Sequence, residues 1–185
     1  MTNSRTDEVL ALAARIQLLL MDVDGVLTNG RLYNVPNPEG KMAETKGFDS
    51  QDGIGLQWLN WKGIKTGVIS GRLSPATAER ARQCKMKYVY QGHVEKIPIV
   101  NEILADAKLD PSEVAYVGDD LTDVVVMRRV GLAIATGNAR PEVKAIAHFV
   151  TRNAGGQGAV REVVELLLKA QNRWPEILKH YEVSE

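Results

Sequence analysis

With 185 residues, 44% hydrophobic and 25% charged, the chain is long enough for one well-cored globular domain over 1–185, with a flap and a tail. Its 23 basic and 23 acidic residues balance and no basic stripe appears, which argues against nucleic acid as the main partner. The N-terminus lacks a basic region followed by a long apolar core, and no apolar run approaches the roughly 20 residues of a membrane helix. No membrane partner and a cytoplasmic location are therefore expected.

Residues 5–16 read as an amphipathic helix with Val9, Leu12, Ala13 and Ile16 on one face. The apolar run Leu18 to Met21 suits a strand buried on both faces of a parallel sheet, and it ends abruptly in Asp22-Val23-Asp24-Gly25. Alternation along an extended strand would point Asp22 and Asp24 the same way. From about 30 to 48, two strand-like pieces flank an Asn/Pro/Gly-rich turn and predict a β-hairpin flap. A helix over 52–63 is closed by Gly63 at the C′ position.

From there strand and helix alternate. Thr66 to Ile69 is a strand leading into Ser70-Gly71-Arg72, and Ser74-Pro75 opens a helix as N-cap and first residue. Strands at 88–90, 114–117, 132–135 and 149–150 are interleaved with helices at 96–107, 121–129, after Pro141, and at 159–169. The pattern predicts an α/β fold: a three-layer, Rossmann-like, mainly parallel sheet with a small β-hairpin flap and no large cap domain. Residues from about 171 to 185, with Trp174 and Tyr181, are expected to form a mobile tail. Cys84 is the single cysteine and reads as a packed thiol in a reducing compartment.

Polar residues recur at the strand ends: Asp22 and Asp24, then Ser70, then Lys96, then Asp119 and Asp120. Two carboxylates at one mouth repel unless a positive charge sits beside them, and a hard cation such as Mg²⁺ answers that need with oxygen ligands. An isolated Asp-x-Asp is usually a solvated turn; joined to the other strand ends it predicts phosphoryl transfer through an aspartyl-phosphate. Asp22 would attack phosphorus and Asp24 would protonate the departing alcohol, then deprotonate water. Ser70, Lys96 and backbone N–H groups near Gly25 and Gly71 would hold the phosphate oxygens.

These residues carry a resemblance. Asp22-Val23-Asp24-Gly25-Val26-Leu27-Thr28, Ser70-Gly71-Arg72, Lys96 and Gly118-Asp119-Asp120-Leu121-Thr122-Asp123 resemble, in order, the four motifs of the haloacid dehalogenase superfamily of phosphatases. Phe48-x-x-x-Asp52-Gly53-x-Gly55, Tyr90-Gln91-Gly92 and Gly155-Gly156-x-Gly158-Ala159-Val160-Arg161-Glu162 narrow it to the capless octulosonate and nonulosonate phosphate phosphatases. The resemblance implies Asp22 as nucleophile and Mg²⁺ ligand, Asp24 as general acid/base and ligand through its carbonyl, and Asp119 as third protein ligand. It places Thr28, Phe48, Asp49, Ser50, Gln51, Asp52, Ser70, Gly71, Arg72, Arg80 and Lys96 among the phosphate- and substrate-contacting positions of a sugar-phosphate site. It further implies a homotetramer whose hairpins pack centrally while a neighbouring subunit roofs each site, and tails, starting at the Gly155 stretch, that reach toward an adjacent site.

Two departures stand out: Gln51 where such chains often carry arginine, and Glu95 where an aspartate often precedes the motif lysine. Arg80, mid-helix, suits a surface charge as well as a ligand. Asp123 suits a helix cap or support behind the metal ligands, and Asp120 either such support or a ligand through water. Trp58 and Trp61 suit core or interface, and His93, His148 and His180 are too dispersed for a zinc site. Two other classes remain open: a receiver-type domain that stores phosphate on aspartate, which would not need Asp24, and a catalytically silent assembly module.

Overall fold

The computed structural model describes residues 3–183. Its first half runs α1 (Asn3–Ala13), β1 (Leu18–Met21), β2 (Tyr33–Pro36), β3 (Met42–Thr45), α2 (Ser50–Trp61), β4 (Lys65–Ser70) and α3 (Pro75–Gln83). Then follow β5 (Tyr88–Gln91), α4 (Lys96–Ala107), β6 (Val114–Gly118), α5 (Leu121–Met127), β7 (Leu132–Ala135), α6 (Pro141–Ile146), β8 (Phe149–Val150), α7 (Ala159–Ala170) and α8 (Trp174–His180).

Six strands form one sheet in the order β5-β4-β1-β6-β7-β8, every pairing parallel, while β2 and β3 make a separate antiparallel hairpin. The period of two along buried strands feeds two cores. Leu19, Met21, Ala115 and Val117 pack with Leu56 and Leu59 of α2 and Val163 and Leu167 of α7. Leu18, Leu20, Val114 and Tyr116 pack on the other face with Ile99 and Ile103 of α4, Val126 of α5 and Val143 of α6. The three-layer α/β reading of the sequence therefore holds.

The strand order reverses at β1, which lies between β4 and β6, so the carboxyl ends of these three strands open on one crevice. Met21 is in register with Val68 and Val117, and the Asp22 N–H still donates to the Val117 carbonyl at 3.0 Å. Asp22 thus stands one residue beyond the strand yet remains tied to the sheet.

Three local expectations are corrected. α2 starts at Ser50 rather than 52 because the Asp49 carboxylate caps it, accepting from the N–H groups of Gln51 and Asp52. Ser74 occupies the N-cap position of α3, but its hydroxyl is buried without a hydrogen bond, and its N–H is held instead by Gln91 Oε1 at 2.7 Å. The stretch expected to be a mobile tail contains α8, whose Ile177 is 2% exposed within the core. Trp174 meets the Trp58 ring at 5.8 Å, and Trp58 Nε1 donates to the Tyr181 hydroxyl at 3.1 Å. The apolar content of this segment outweighs its charged surface. Trp61 stays exposed beside His180, and the Cys84 thiol is buried. Among the described residues no helix is long and apolar enough to cross a membrane.

Candidate active site

At the crevice, Asp22, Asp119 and Asp123 bring carboxylate oxygens within 4.8 Å of one another. Lys96, at the start of α4, enters between them. Its ammonium lies 2.7 Å from Asp123 Oδ1 and 3.1 Å from Asp22 Oδ1, and it donates to the Tyr116 hydroxyl at 3.0 Å. Tyr116 donates in turn to Asp123 Oδ1 at 2.8 Å, while Asp123 Oδ2 accepts the N–H groups of Asp119 and Asp120 at 2.9 and 3.2 Å. Asp123 is fully buried and its oxygens are committed to these four donors. It caps α5 and anchors Lys96, as the cap reading anticipated.

The electrostatics follow from this arrangement. Burial pushes the Asp22 carboxyl up to about 6; the Lys96 ammonium pulls against the rise and Asp123 adds to it. Asp119 is pushed up to about 7, first by burial and then by Asp123 and Asp22. Burial pulls the Lys96 ammonium down, but Asp123 and Asp22 outweigh it and hold the group above its ordinary value. Burial also holds the Tyr116 phenol well above its ordinary value, so it remains a donor.

Asp24 has different partners. β1 ends at Met21, and Asp24 lies in the following turn, so the alternation expected of an extended strand does not reach it. Its carboxylate is paired with Lys46, next to the hairpin, and stands 3.8 Å from Arg72 Nε. Glu44 of β3 lies 3.2 Å from Lys46 and 3.4 Å from Arg72, completing an alternating set of two acids and two bases. The Lys46 side chain is 1% exposed. The flap thus delivers charge to the site.

The turn itself is tightly held. Gly25 has φ +89°, and a Cβ there would meet the Asp119 carboxylate at 2.0 Å, so only glycine fits. Its carbonyl accepts from Asn138 Nδ2 at 3.0 Å and Thr136 Oγ1 at 3.3 Å. The loop before α7 closes the other side: a Cβ on Gly155 would lie 1.9 Å from the Gly25 oxygen, and the Gly156 N–H donates to the Val26 carbonyl at 3.1 Å. The stretch expected to begin a tail reaching an adjacent site instead packs against the turn after β1 of its own chain.

Of the other positions singled out, Ser70 and Arg72 stand at the mouth with Gly71 between them; the Ser70 hydroxyl accepts from the Arg72 N–H at 3.2 Å. Several others are engaged elsewhere. Thr28 is buried, donating to the Val23 carbonyl and accepting from the Gly30 N–H, so its hydroxyl shapes the turn. Asp49 is committed to capping α2, and Phe48 packs against the core under the Arg80 guanidinium. Arg80 donates to the Asp49 carbonyl and fills the space beside Gly53, where a Cβ would come within 2.2 Å.

Asp52, 1% exposed, faces α7 rather than the crevice and accepts from the Arg161 N–H at 2.7 Å. The residue capping α7 is Gly158, which has no side chain to offer, and Asp52 supplies the missing carboxylate from α2. Burial pushes Asp52 up to about 6. Ser50 and Gln51 are exposed at the start of α2.

Sequence reasoning missed Glu44, Lys46, Tyr116 and Asn138 as parts of this site. The Glu44-Thr45-Lys46 run beside the glycine Gly47 gave a weak signal, since opposite charges two apart on a strand share one face. Tyr116 sits mid-strand among core residues, and Asn138 in a loop, with nothing local to mark either.

A cation fits between Asp22 and Asp119. Asp119 Oδ1 is buried without a hydrogen-bond partner, and the donor set is entirely hard oxygen, the chemistry Mg²⁺ selects. Asp123, already saturated, is left to support the ligands.

Comparison with known proteins adds four findings. Residues 79–163 match the haloacid dehalogenase-like hydrolase family. The chain is 41% identical over 167 residues to the 3-deoxy-D-manno-octulosonate 8-phosphate phosphatase KdsC of Yersinia pestis, covering 90% of this chain and 87% of that protein. Among solved structures, a probable YrbI family phosphatase from Pseudomonas syringae superposes with TM-score 0.90 at 38% identity, covering 97% of this chain and 99% of that one. The Moraxella catarrhalis 3-deoxy-D-manno-octulosonate 8-phosphate phosphatase, solved with magnesium, phosphate and the sugar, gives TM-score 0.89 at 37% identity, covering 95% and 98%.

Proposed function

Because this chain belongs to the haloacid dehalogenase-like hydrolases, we propose that it is a Mg²⁺-dependent phosphatase hydrolysing 3-deoxy-D-manno-octulosonate 8-phosphate to the free sugar and phosphate. The observation that supports this most directly is the convergence of Asp22, Lys96 and Asp119 with Ser70 at the carboxyl ends of adjacent strands. The single domain 1–185 would act in the cytoplasm, in lipopolysaccharide sugar synthesis, as a homotetramer. Exposed Leu32, Tyr33, Val35 and Met42 on the hairpin favour such an assembly, with active sites near subunit interfaces.

The chemistry follows from the residues. Asp22 attacks phosphorus through a carboxylate oxygen, forming an aspartyl-phosphate as the bond to the sugar oxygen breaks. Asp24 gives a proton to that departing oxygen and then takes one from the water that attacks the intermediate, restoring Asp22. Lys46 and Arg72 aim the Asp24 carboxylate. Lys96 and the Ser70 hydroxyl hold phosphate oxygens, and the ammonium balances charge gathering on the transferred group. Bound between Asp22, Asp119 and the Asp24 carbonyl, Mg²⁺ would supply positive charge that lets a carboxylate approach a phosphate dianion.

An acid at Asp24, two residues after Asp22, favours turnover over phosphate storage, which would not need it, and over a silent assembly role. The test is phosphate release from a panel of sugar phosphates, including nonulosonate 9-phosphates, with Mg²⁺ and with chelator, comparing wild type to Asp22→Asn. Strong metal-dependent preference for the octulosonate ester, lost in the variant, is the expected result. Equal, feeble hydrolysis of every ester would reject the substrate assignment.

A further inference from the structure

We propose that Asn138 is a positioning residue for this reaction, acting through the Gly25 carbonyl to fix the turn that carries Asp22 and Asp24; the proposal rests on the phosphatase reading above. The side-chain amide of Asn138 is used at both ends. Nδ2 donates to Gly25 O at 3.0 Å, while Oδ1 accepts the Gly155 N–H at 2.6 Å. It therefore works as an inserted peptide unit, adding a second tie between two loops already joined by the Gly156 N–H to the Val26 carbonyl. Thr136 Oγ1 adds a second, longer bond to the same Gly25 oxygen at 3.3 Å.

The position of Gly25 gives this clamp its leverage. On one side the space a Cβ would need is filled by the Asp119 carboxylate, and on the other Gly155 lies against the Gly25 oxygen. Both sides of Gly25 are occupied, so a peptide released from Asn138 can shift only by displacing one neighbour or the other. Either direction changes the spacing between Asp24 and its partners or between Asp22 and Asp119. Asn138 comes from the loop after β7, whose Arg140 N–H donates to the Asp119 carbonyl at 2.9 Å, so one loop sets both sides of the crevice. Displacements well below the size of an atom are costly in a transfer that needs in-line geometry. Asn138 itself need touch neither phosphorus nor sugar.

The test is a kinetic split with a structural readout. Asn138→Ala should lower kcat about 10-fold to 100-fold with KM changed less than about threefold. Thr136→Val alone should cost little, and the double variant should lose more than the product of the single effects, because the Gly25 oxygen then has neither donor. Hydrogen–deuterium exchange should become faster in the peptide spanning 22–30 and stay unchanged over 98–107. Asn138→Asp, which keeps the acceptor for Gly155 but faces Gly25 with an oxygen, should not rescue. A rise in KM alone, unchanged kcat, or independent effects of the two substitutions would overturn the proposal. If the wild-type protein released phosphate from no ester, the function proposed above would fall, and the exchange measurement would decide the clamp: unchanged protection of 22–30 overturns it.

Discussion

Lys96 on α4 and Asp123 on α5 form a buried ion pair, Nζ to Oδ1 at 2.7 Å, with side-chain exposures of 2% and 0%. The same ammonium stands 3.1 Å from Asp22, so one cation joins the acid at the end of β1 to a fully buried acid whose oxygens are already committed. Removing Asp123 while keeping Lys96 leaves a buried charge with one partner fewer and also uncaps α5. Asp123→Ala is expected to destabilise by about 3 to 5 kcal/mol, read from urea unfolding. A loss below about 1 kcal/mol would show that Asp22 alone satisfies the ammonium.

Metal affinity should depend on pH. With Asp22 raised to about 6 and Asp119 to about 7, both carry protons in part of the metal-free population near pH 6. Ligation requires the ionised forms, so Mg²⁺ binding is expected to release protons at pH 6 and to strengthen up to about pH 7.5, then level off. Calorimetry in two buffers of different ionisation enthalpy measures this directly; identical heats at pH 6 would contradict it.

Asp52 makes a separate, structural prediction. Its folded value of about 6 lies above the ordinary 3.8, so the protonated carboxyl is the form the fold favours. The stability this contributes is fully present below about pH 4 and is lost as pH rises through about 6, an effect of up to about 3 kcal/mol. Asp52→Asn keeps an acceptor for the Arg161 N–H without the charge. Its stability relative to wild type should climb between pH 4 and 6 and stay constant above. A difference independent of pH would mean that burial does not penalise the ion.

Lys46 is expected to matter to turnover more than to folding. Lys46→Ala leaves Asp24 with only the more exposed Arg72 at 3.8 Å. kcat should fall at least about 10-fold, a fraction of the 10²–10⁴ range of a positioned general acid. Lys46→Arg should recover part of it. Equal kcat in the alanine variant would separate the hairpin from the chemistry.

Shortening the hairpin tests assembly. Residues 37–41 form its turn beyond the Pro36–Met42 pair, closed by the Asn37 N–H to the Lys41 carbonyl at 2.8 Å. Deleting the tip should leave a folded but smaller species by light scattering, with poorer discrimination among sugar phosphates. An unchanged tetramer after deletion would count against the hairpin as its core.

Asp22, Ser70, Lys96 and Asp119 were legible in the sequence because buried parallel strands announce themselves as apolar runs, and polar residues just past those runs have one crevice to share. Lys46 and Glu44 were not, since nothing local says how a hairpin folds over a sheet. Asp52, Thr28 and Asp49 were assigned to substrate for the opposite reason: they neighbour the right segments, but caps and turns claimed their oxygens first. The charged stretch around Trp174 and Ile177 read as a tail because its few apolar residues meet distant partners, Trp58 among them.

The turn after β1 also orders events in time. Asp22 is among the first core residues to leave a ribosome, yet the groups that pin its turn, Asn138, Gly155 and Gly156, are 113 or more positions later. A nascent chain that already holds Asp22, Ser70, Lys96 and Asp119 would still lack every one of these pinning groups. Closing contacts of such span is slow and comes late, so hydrolytic competence would arrive only with the last quarter of the polypeptide.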